Sequence, residues 1–374
     1  MYQTRANQSV YAFLFFLSFF LVYMVFVVYA ERKISAFIQD RYGPMEVGYY
    51  GILQTVADLL KLVQKEDIVP LAADKKLFKP GPIVIFTAVF AGFAVLPLTS
   101  DFGGSAADVG IFYLLAIVSL DVIGILMAGW GSNSKYALFG AMRSVAQIIS
   151  YEIPLGLTVV CVVMVSQTLN LQEIVFQQGI WWNTIDKEAQ NFLFGIKALG
   201  INTTEIGGIL TWNIFRAPIF LFGFIIFFIA SLAESNRGPF DIPEAESELV
   251  GGFHTEYSGL RWGLVMMGEY GMMLLVSFLA VILFLGGWNT PLPNIGSVTL
   301  AEWTSGTPGT IAGHIWGAFW MLAKTFLLVG LQMWIRWTYP RLRIDQLMNL
   351  SWKYLTPAAI LLVLLSGIWR LLMI

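Results

Sequence analysis

Long runs of apolar residues are the feature that most restricts what this chain can fold into. A run of about 18 or more apolar residues can cross a bilayer as one α-helix. Within lipid, the helix is the fold that satisfies the backbone hydrogen bonds of such a run by itself. The sequence contains eight of these runs, at approximately 10–30, 82–98, 110–130, 144–165, 213–232, 264–287, 314–334 and 354–374.

The composition supports a membrane protein. Of the 374 residues, 57% are hydrophobic and only 12% are charged, whereas soluble domains carry about 25% charged residues. The sequence therefore predicts an all-α polytopic membrane protein whose residues 1–374 form a single membrane domain. The first run is too long for a signal-peptide core and lacks a small-residue cleavage site, so we expect it to remain as the first helix.

Several kinds of chemistry are excluded for this chain alone. Its one cysteine, Cys161, cannot form an intramolecular disulfide or hold an iron–sulfur cluster. Its two histidines, His254 and His314, lie far apart in sequence, which disfavours a metal or haem site. A net charge of −2 gives no nucleic-acid signal, and no glycine-rich nucleotide motif is present. We therefore expect no cofactor bound by this chain alone, and no metal.

The distribution of basic residues predicts the orientation in the membrane. Most of the 22 Lys and Arg residues lie in the loops after the first, third, fifth and seventh apolar runs. Basic loops stay in the cytoplasm. We therefore expect residues 31–81 and 233–263 to be cytoplasmic loops and both termini to lie outside.

The first cytoplasmic loop contains an amphipathic pattern. Apolar residues recur there at helical spacing, which predicts a helix lying at the membrane interface. They are Ile52, Leu53, Val56, Leu59, Leu60 and Val63. Asp58 and Lys61 on the polar side form an i,i+3 pair, so a solvated salt-bridged face is the alternative interpretation.

The acidic segment 233–270 is the most unusual stretch, since it holds seven of the 24 acidic residues between two apolar runs. If a helix starts at Pro243, Asp241, Glu244 and Glu248 fall within a sector of about 60°, and Glu246 points elsewhere. Acids in a first helical turn could simply stabilise the helix dipole. Clustered carboxylates can instead exchange protons near neutral pH, and we favour proton transfer.

Four ionisable residues fall at membrane depth, where charges are costly and usually functional. We expect Glu152 and Glu269 to be functional, while Asp121 and Lys324 could form a purely structural ion pair. Pro154 should free a backbone carbonyl and bend its helix.

A polar stripe also enters the membrane near Glu152. Arg143, Gln147 and Tyr151 recur every four residues along one helix. The stripe could indicate hydration of the helix or structural hydrogen bonds between helices.

Three segments carry a family resemblance. They are ERKISAFIQDRYGPMEVGYYGILQTVADLLKLVQKE (31–66), GWGSNSKYALFGAMRSVAQIISYEIPLGL (129–157) and LAESNRGPFDIPEAESELVGGFHTEY (232–257). In these segments the chain resembles subunit 1 of respiratory complex I, the H subunit in bacterial lettering. That enzyme is the proton-translocating NADH-quinone oxidoreductase, and this subunit lies at the junction with its peripheral arm.

The resemblance implies roles for individual residues. The chain would help to form a quinone chamber and couple quinone reduction to proton translocation. The implied quinone-binding residues are Arg32, Gln39, Arg41, Asp58, Lys61 and Arg237. The implied proton path consists of Glu152, Glu234, Asp241, Glu244, Glu246, Glu248 and Glu269. Asp121 and Lys324 match no position of the family pattern, and the outer loop 167–212 is longer than usual.

The resemblance also implies partners and location. NADH, FMN and iron–sulfur clusters would bind to partner subunits, including the peripheral-arm subunit with the terminal iron–sulfur cluster, and quinone would be the substrate. Small membrane subunits would connect the chain to antiporter-like subunits. We expect the bacterial inner (cytoplasmic) membrane with periplasmic termini, with the mitochondrial inner membrane as the alternative.

Three other functions stay open at this point. The nearest is the equivalent subunit of a membrane-bound hydrogenase or of a ferredoxin- or formate-driven proton pump. A stand-alone proton-coupled transporter would be active as a purified single chain. A structural anchor would use its carboxylates only to dock the peripheral arm.

Overall fold

A computed structural model describes residues 2–105, 107–182, 192–196, 200–242, 250–295 and 298–373, with the backbone alone for residues 2–9 and 373. Helices account for nearly all regular structure in these ranges, and extended pairing is limited there to isolated bridges. The prediction of an all-α fold is confirmed.

The main helices are numbered in chain order. They are α1 (Tyr2–Ile38), α2 (Gln54–Gln64), α3 (Gly81–Gly92), α4 (Gly110–Val118), α5 (Leu120–Gly131), α6 (Lys135–Ser166), α7 (Leu171–Gln177), α8 (Ile219–Glu234), α9 (Gly259–Phe284), α10 (Ile311–Thr338) and α11 (Thr356–Met373). Short helices lie between them at Lys75–Phe78, Thr203–Ile206, Asn213–Arg216, Leu300–Ser305 and Ile344–Asn349.

Seven stretches of the described chain are long and apolar enough to cross a membrane. They are Val10–Ile38, Lys75–Val95, Gly110–Gly131, Lys135–Ser166, Gly259–Phe284, Ile311–Thr338 and Ile344–Leu372. α8 is apolar too, but its 16 residues make it a shorter helix. The chain is therefore a multi-pass membrane protein.

Several expected helix boundaries are wrong, and two of the differences are informative. The fourth helix begins at Lys135 instead of 144, because the polar residues ahead of the apolar run still continue the helix. The expected helix over 213–232 is broken, since Ala217 is extended (φ −142°, ψ 133°) directly before Pro218. A residue before proline is sterically driven out of the helical region.

Helix α9 forms the centre of the bundle. Every residue from Gly271 to Phe284 is buried, and α9 packs against α1, α2, α3, α8 and α10. Gly268 allows α3 to approach closely, because a Cβ at this position would lie only 2.7 Å from Cγ2 of Ile85. A helix that is apolar on all sides belongs in a core, and α9 positions Glu269 and Tyr270 there.

Helix α2 is the amphipathic helix expected in the first loop. It packs against α1 and α9, while the predicted apolar residues point outwards, with Leu60 58% and Val63 66% exposed. Asp58 and Lys61 form the expected pair, with 3.8 Å between Oδ1 and Nζ. An exposed apolar face suits a membrane interface, and the interfacial position stays a prediction.

Candidate functional site

A cavity of about 340 Å³ opens between α1, α2, α9 and α10, and we call it the lateral cavity. Its wall is largely apolar and contains Met24, Val25, Val28, Leu59, Leu62, Trp262, Met266 and Met267. Its polar groups include Glu31, Arg32, Ser35, Arg41, Thr55, Asp58, Tyr270 and Arg336. An apolar cavity with a few polar groups has the character of a small-molecule site.

The polar side chains of α1 and α2 are held by one another. Arg32 Nη1 lies 2.6 Å from Oδ2 of Asp58, and Arg41 Nε donates to Oε1 of Gln39 at 2.6 Å. Arg32, Arg41 and Asp58 line the lateral cavity. Lys61 contacts Asp58 from outside the lining. Five of the six residues expected to bind quinone therefore cluster here.

Arg237, the sixth of these residues, lies in a buried ion-pair network. Its Nη1 lies 3.1 Å from each carboxylate oxygen of Glu31. Tyr270 donates its hydroxyl to Oε2 of Glu31 at 2.6 Å, and Arg336 Nη1 also donates to this carboxylate. Glu31 and Arg237 are only 5% and 4% exposed. We call Glu31, Arg237, Tyr270 and Arg336 the Glu31 network.

The position of Arg237 depends on the loop that follows α8. Every residue from Ser235 to Ile242 is buried. Asn236 takes a left-handed conformation (φ 50°), which asparagine tolerates better than most residues. Its side-chain oxygen accepts hydrogen bonds from Ser144 and Gln147 of α6 at 3.3 Å each. These bonds fix the loop, and with it the side chain of Arg237.

Arg237 is held as a cation by its neighbours. Burial alone would lower the pKa of Arg237, but the charges of Glu31, Tyr270 and Glu269 raise this pKa well above its ordinary value. The guanidinium also lies over the ring of Tyr270, at 3.9 Å from the centroid. Arg237 therefore interacts with Glu31 on one side and with Glu269 on another.

A second, much smaller cavity of about 10 Å³ lies beyond Arg237. Asp121, Glu234 and Glu269 line it, from α5, α8 and α9, and we call it the carboxylate cavity. Its volume is about that of one water-sized sphere. Asp121 Oδ1 and Glu234 Oε2 have no hydrogen-bond partner among the described residues. Burying two such carboxylates as unpaired negative charges is very costly, so the cavity favours carboxyl groups that carry protons.

Glu152 lies near this cavity on α6 and is partly buried. It contributes like-charge repulsion at Glu234, as Asp121 also does. Pro154 frees a backbone carbonyl of α6, as expected, while the expected bend stays a prediction. The carbonyl of Ser150, which loses its helical partner, instead accepts a hydrogen bond from Ser351 Oγ at 2.6 Å.

The polar stripe of α6 makes structural contacts. Gln147 Nε2 donates to the carbonyl of Ala233 at 2.7 Å. Tyr151 donates its hydroxyl to the carbonyl of Leu347 at 3.0 Å. Structural hydrogen bonding between helices, the rival interpretation of the stripe, therefore describes both residues.

The remaining acidic candidates divide into two groups. Asp241 is buried and pairs with Arg341, whose Nη2 lies 3.1 Å from Oδ2. Glu244, Glu246 and Glu248 lie outside the described residues, and so does the predicted helix start at Pro243. The stripe expected from Asp241, Glu244 and Glu248 thus stays a prediction.

The ion pair between Asp121 and Lys324, one of the interpretations of these residues, is wrong. Lys324 Nζ donates to the carbonyls of Leu285, Gly287 and Asn289 at 2.7, 2.8 and 2.6 Å. These three bonds use all three ammonium protons. The ammonium group thus binds the C-cap residue of α9 and the turn after it, whereas Asp121 lies in the carboxylate cavity.

Sequence reasoning did not single out Glu31, Tyr270 or Arg336, and it gave Asp121 no role beyond a structural ion pair. Glu31 follows the first apolar run directly and precedes two basic residues, so it resembles an ordinary membrane-boundary charge. Asp121 has no motif around it; its one signal is that it is an acid at membrane depth. The described residues contain no group of three or more His, Cys, Asp and Glu side chains that could hold a metal ion.

Comparisons with known proteins agree with one another. The family model described as NADH dehydrogenase matches residues 11–367. A protein from Cytophaga hutchinsonii, named as H subunit 2 of NADH-quinone oxidoreductase, is 60% identical over 357 residues, which cover 95% of this chain and 97% of that protein.

More distant relatives carry nearly the same name. The H subunit of NADH-quinone oxidoreductase from Chlorobium luteolum is 52% identical, covering 93% of this chain and 85% of its own length. The H subunit from a Geobacillus species is 44% identical, covering 93% and 90%. The residues that line both cavities lie within the range 11–367 that the family model matches.

Proposed function

We propose that this chain binds quinone and couples quinone reduction to proton movement. The chain belongs to the NADH dehydrogenase family and is a membrane subunit of complex I. The lateral cavity would form part of the quinone path, and the carboxylate cavity would begin the proton path. Other complex I subunits are its partners. The assembled complex would act as a proton-translocating NADH:quinone oxidoreductase.

The lining of the lateral cavity supports quinone as the substrate. A quinone combines a polar headgroup with a long apolar tail. Methionine side chains such as Met24, Met266 and Met267 adapt to flexible apolar ligands. Arg32 and Arg41 could donate hydrogen bonds to carbonyl oxygens of a passing headgroup.

The observation that carries the proposal is the position of the Glu31 network between the two cavities. Glu31, Tyr270 and Arg336 line the lateral cavity, whereas Glu269 lines the carboxylate cavity. Arg237 interacts electrostatically with both Glu31 and Glu269. A change of charge in one cavity therefore reaches the other through one buried cation.

The mechanism follows from the balance of charge. Reduction of quinone to quinol takes two electrons, which partner subunits would supply, and two protons. If the quinone takes up electrons before protons, the lateral cavity becomes more negative. This negative charge attracts the cationic side chains of the Glu31 network. When Arg237 interacts less with Glu269, the carboxylate cavity binds a proton, and Asp121, Glu234 and Glu152 would pass it on.

The rest of the predicted proton path belongs to the same proposal. Asp241, Glu244, Glu246 and Glu248 would extend the acidic route on the cytoplasmic side. Small membrane subunits would take the charge change on to antiporter-like subunits. The terminal electron donor would be the iron–sulfur cluster of a peripheral-arm subunit.

Orientation and location are also part of the proposal. The basic loops support a cytoplasmic position for both cavities and periplasmic termini. The bacterial sources of the relatives support the bacterial inner membrane. All three relatives carry NADH-quinone oxidoreductase names, which favours this enzyme over the hydrogenase and formate-driven alternatives.

The experiment is a measurement of coupling in the assembled complex. Membrane vesicles with Glu269→Gln are supplied with NADH, and quinone reduction and proton uptake are followed together. We expect both to fall at least about tenfold, because the carboxylate cavity can no longer accept the proton at this position. The exposed outer residue Glu302 provides a matched control, and Glu302→Gln should leave both rates unchanged.

The alternatives give different outcomes. Wild-type rates of both quinone reduction and proton uptake in Glu269→Gln would contradict the proposed role of the carboxylate cavity. If the carboxylates merely dock the peripheral arm, the variant would lose assembled complex while the remaining complex pumps normally. A stand-alone transporter would move protons as the purified single chain, without NADH.

A further inference from the structure

Two arginines from distant parts of the chain meet at the C-terminal end of α6. Arg370 Nη1 donates to the carbonyl of Val165 at 3.2 Å. Arg216 Nη1 lies 3.5 Å from Oε1 of Gln177, whose Nε2 donates to the carbonyl of Ser166 at 2.9 Å. Val165 and Ser166 are the last two residues of α6. Both guanidinium groups are thus directed at one helix end.

Capping of α6 explains only part of this arrangement. Cations near a helix C-terminus stabilise its unpaired carbonyls and its dipole. These contacts use one N–H of each arginine, however, of Arg370 on the helix end itself and of Arg216 on Gln177, and a guanidinium carries five. Among the residues that the structure describes, no carboxylate forms an ion pair with Arg216 or Arg370. Most of the donors of this arginine pair therefore remain available.

The positive charges of Arg216 and Arg370 also repel one another. Burial, and then the like charge of Arg370, lower the pKa of Arg216 to about 10. Arg216 lies three residues before the start of α8, whose 16 residues rise about 24 Å, less than the roughly 30 Å of a hydrocarbon core. An anion that bridges the two guanidinium groups would remove this repulsion.

The surroundings of the arginine pair are apolar and exposed. On α11, Ile368, Leu371 and Leu372 are 53%, 86% and 73% exposed next to Arg370. Phe215, beside Arg216, and Val160 on α6 are also exposed. A small soluble anion needs no such surface, whereas the acyl chains of a lipid would cover it.

We propose that Arg216 and Arg370 bind the phosphate of an anionic phospholipid headgroup whose acyl chains lie along α11 and α6. Guanidinium groups bind phosphate oxygens through paired N–H donors, and basic sites between membrane helices bind anionic headgroups. The lipid would connect α11 to the end of α8, on the side of the membrane opposite to the Glu31 network. This site is independent of the quinone and proton paths.

The test uses the whole complex. Wild-type complex and a complex with Arg216→Gln and Arg370→Gln are stripped of loosely held lipid in mild detergent. They are then equilibrated with mixed micelles of phosphatidylglycerol and phosphatidylcholine and purified again. Mass spectrometry counts the lipids that remain. Each basic residue near an anionic headgroup contributes about a fivefold change in affinity, so the double variant should retain about 25-fold less phosphatidylglycerol at this site.

Two comparisons make the result specific. Arg343, an exposed arginine near the other end of α11, provides the matched control, and Arg343→Gln should retain lipid as the wild type does. If the double variant fails to assemble, Arg370→Lys keeps the charge but loses the paired donors, and it should still weaken retention. Equal retention of phosphatidylglycerol by variant and wild type would overturn the proposal. Displacement of the lipid by excess inorganic phosphate alone would also overturn it, because the site would then bind a soluble anion.

Discussion

Arg237 contacts both carboxylate oxygens of Glu31 at 3.1 Å, although 206 residues separate the two in sequence. Both side chains are almost fully buried, so neither can recover its hydration if its partner is lost. Removing one partner of such a pair typically costs about 3–5 kcal/mol. The pair therefore fixes the distance between the end of α1 and the loop after α8.

A double-mutant cycle tests this pair. We expect Glu31→Gln to lower NADH:quinone reductase activity by at least about tenfold, because Arg237 and Arg336 lose their shared anion. Arg237→Gln should do the same. The double variant should be less impaired than the sum of the two, because Glu31 and Arg237 no longer leave one another unpaired and only Arg336 has lost its anion. If the losses of activity measured on assembled complex are additive, Glu31 and Arg237 are not coupled. Glu46→Gln, in the exposed first loop, is the control for the loss of an acidic side chain.

Arg41→Ala tests the lateral cavity as the quinone site. Arg41 lines the cavity without joining the Glu31 network. Its loss should weaken quinone turnover, mainly through a higher KM. Reduction of a water-soluble acceptor by the peripheral arm should not change, since that reaction bypasses the membrane. An unchanged KM for quinone, with Arg343→Ala as the control, would exclude Arg41 from the quinone path.

Asp121→Asn tests whether this residue belongs to the proton path. The variant keeps the shape of the carboxylate cavity but removes a titratable group. We expect fewer protons translocated per quinol formed, measured in sealed vesicles with a pH-sensitive dye. Asp108 lies exposed just ahead of α4, so Asp108→Asn is the comparison. A normal ratio of protons to quinol in Asp121→Asn would assign Asp121 a structural role.

Lys324→Met should destabilise the protein without acting on quinone directly. The carbonyls of Leu285, Gly287 and Asn289 would lose their donor, and each unsatisfied buried acceptor costs about 1–3 kcal/mol. The measurement is the thermal unfolding temperature of the purified complex. Lys353 is exposed, so Lys353→Met should unfold at the wild-type temperature. Equal temperatures for both variants would show that other groups satisfy the carbonyls.

The sequence predicted the fold class well because each apolar run specifies a membrane helix locally. It was less accurate where tertiary contacts decide. Pro218 breaks the expected fifth helix, and the polar start of α6 at Lys135 carries no hydropathy signal. The position of α9 at the centre depends on how neighbouring helices pack around it, which no local pattern contains.

The same limit applies to the site. Glu269 was predicted from its position at membrane depth and Glu234 from the family resemblance, and both line one cavity. The role of Glu31 could not be predicted, because it depends on Arg237 and Arg336, from segments far along the chain. Spacing placed Asp58 and Lys61 correctly, since they lie on one helix. Lys324 was paired with Asp121 instead of with backbone carbonyls, because every residue has a carbonyl and a sequence does not indicate which carbonyls lack a partner.

Glu269 and Tyr270 are consecutive residues on α9, so their positions are mechanically linked. Successive side chains on a helix diverge by about 100°, so one faces the carboxylate cavity while the other reaches Glu31. The helix is buried from Gly271 to Phe284, and Lys324 holds the turn that follows it. A small rotation of α9 about its own axis would therefore move both side chains together, so that a shift of one backbone position carries the other with it.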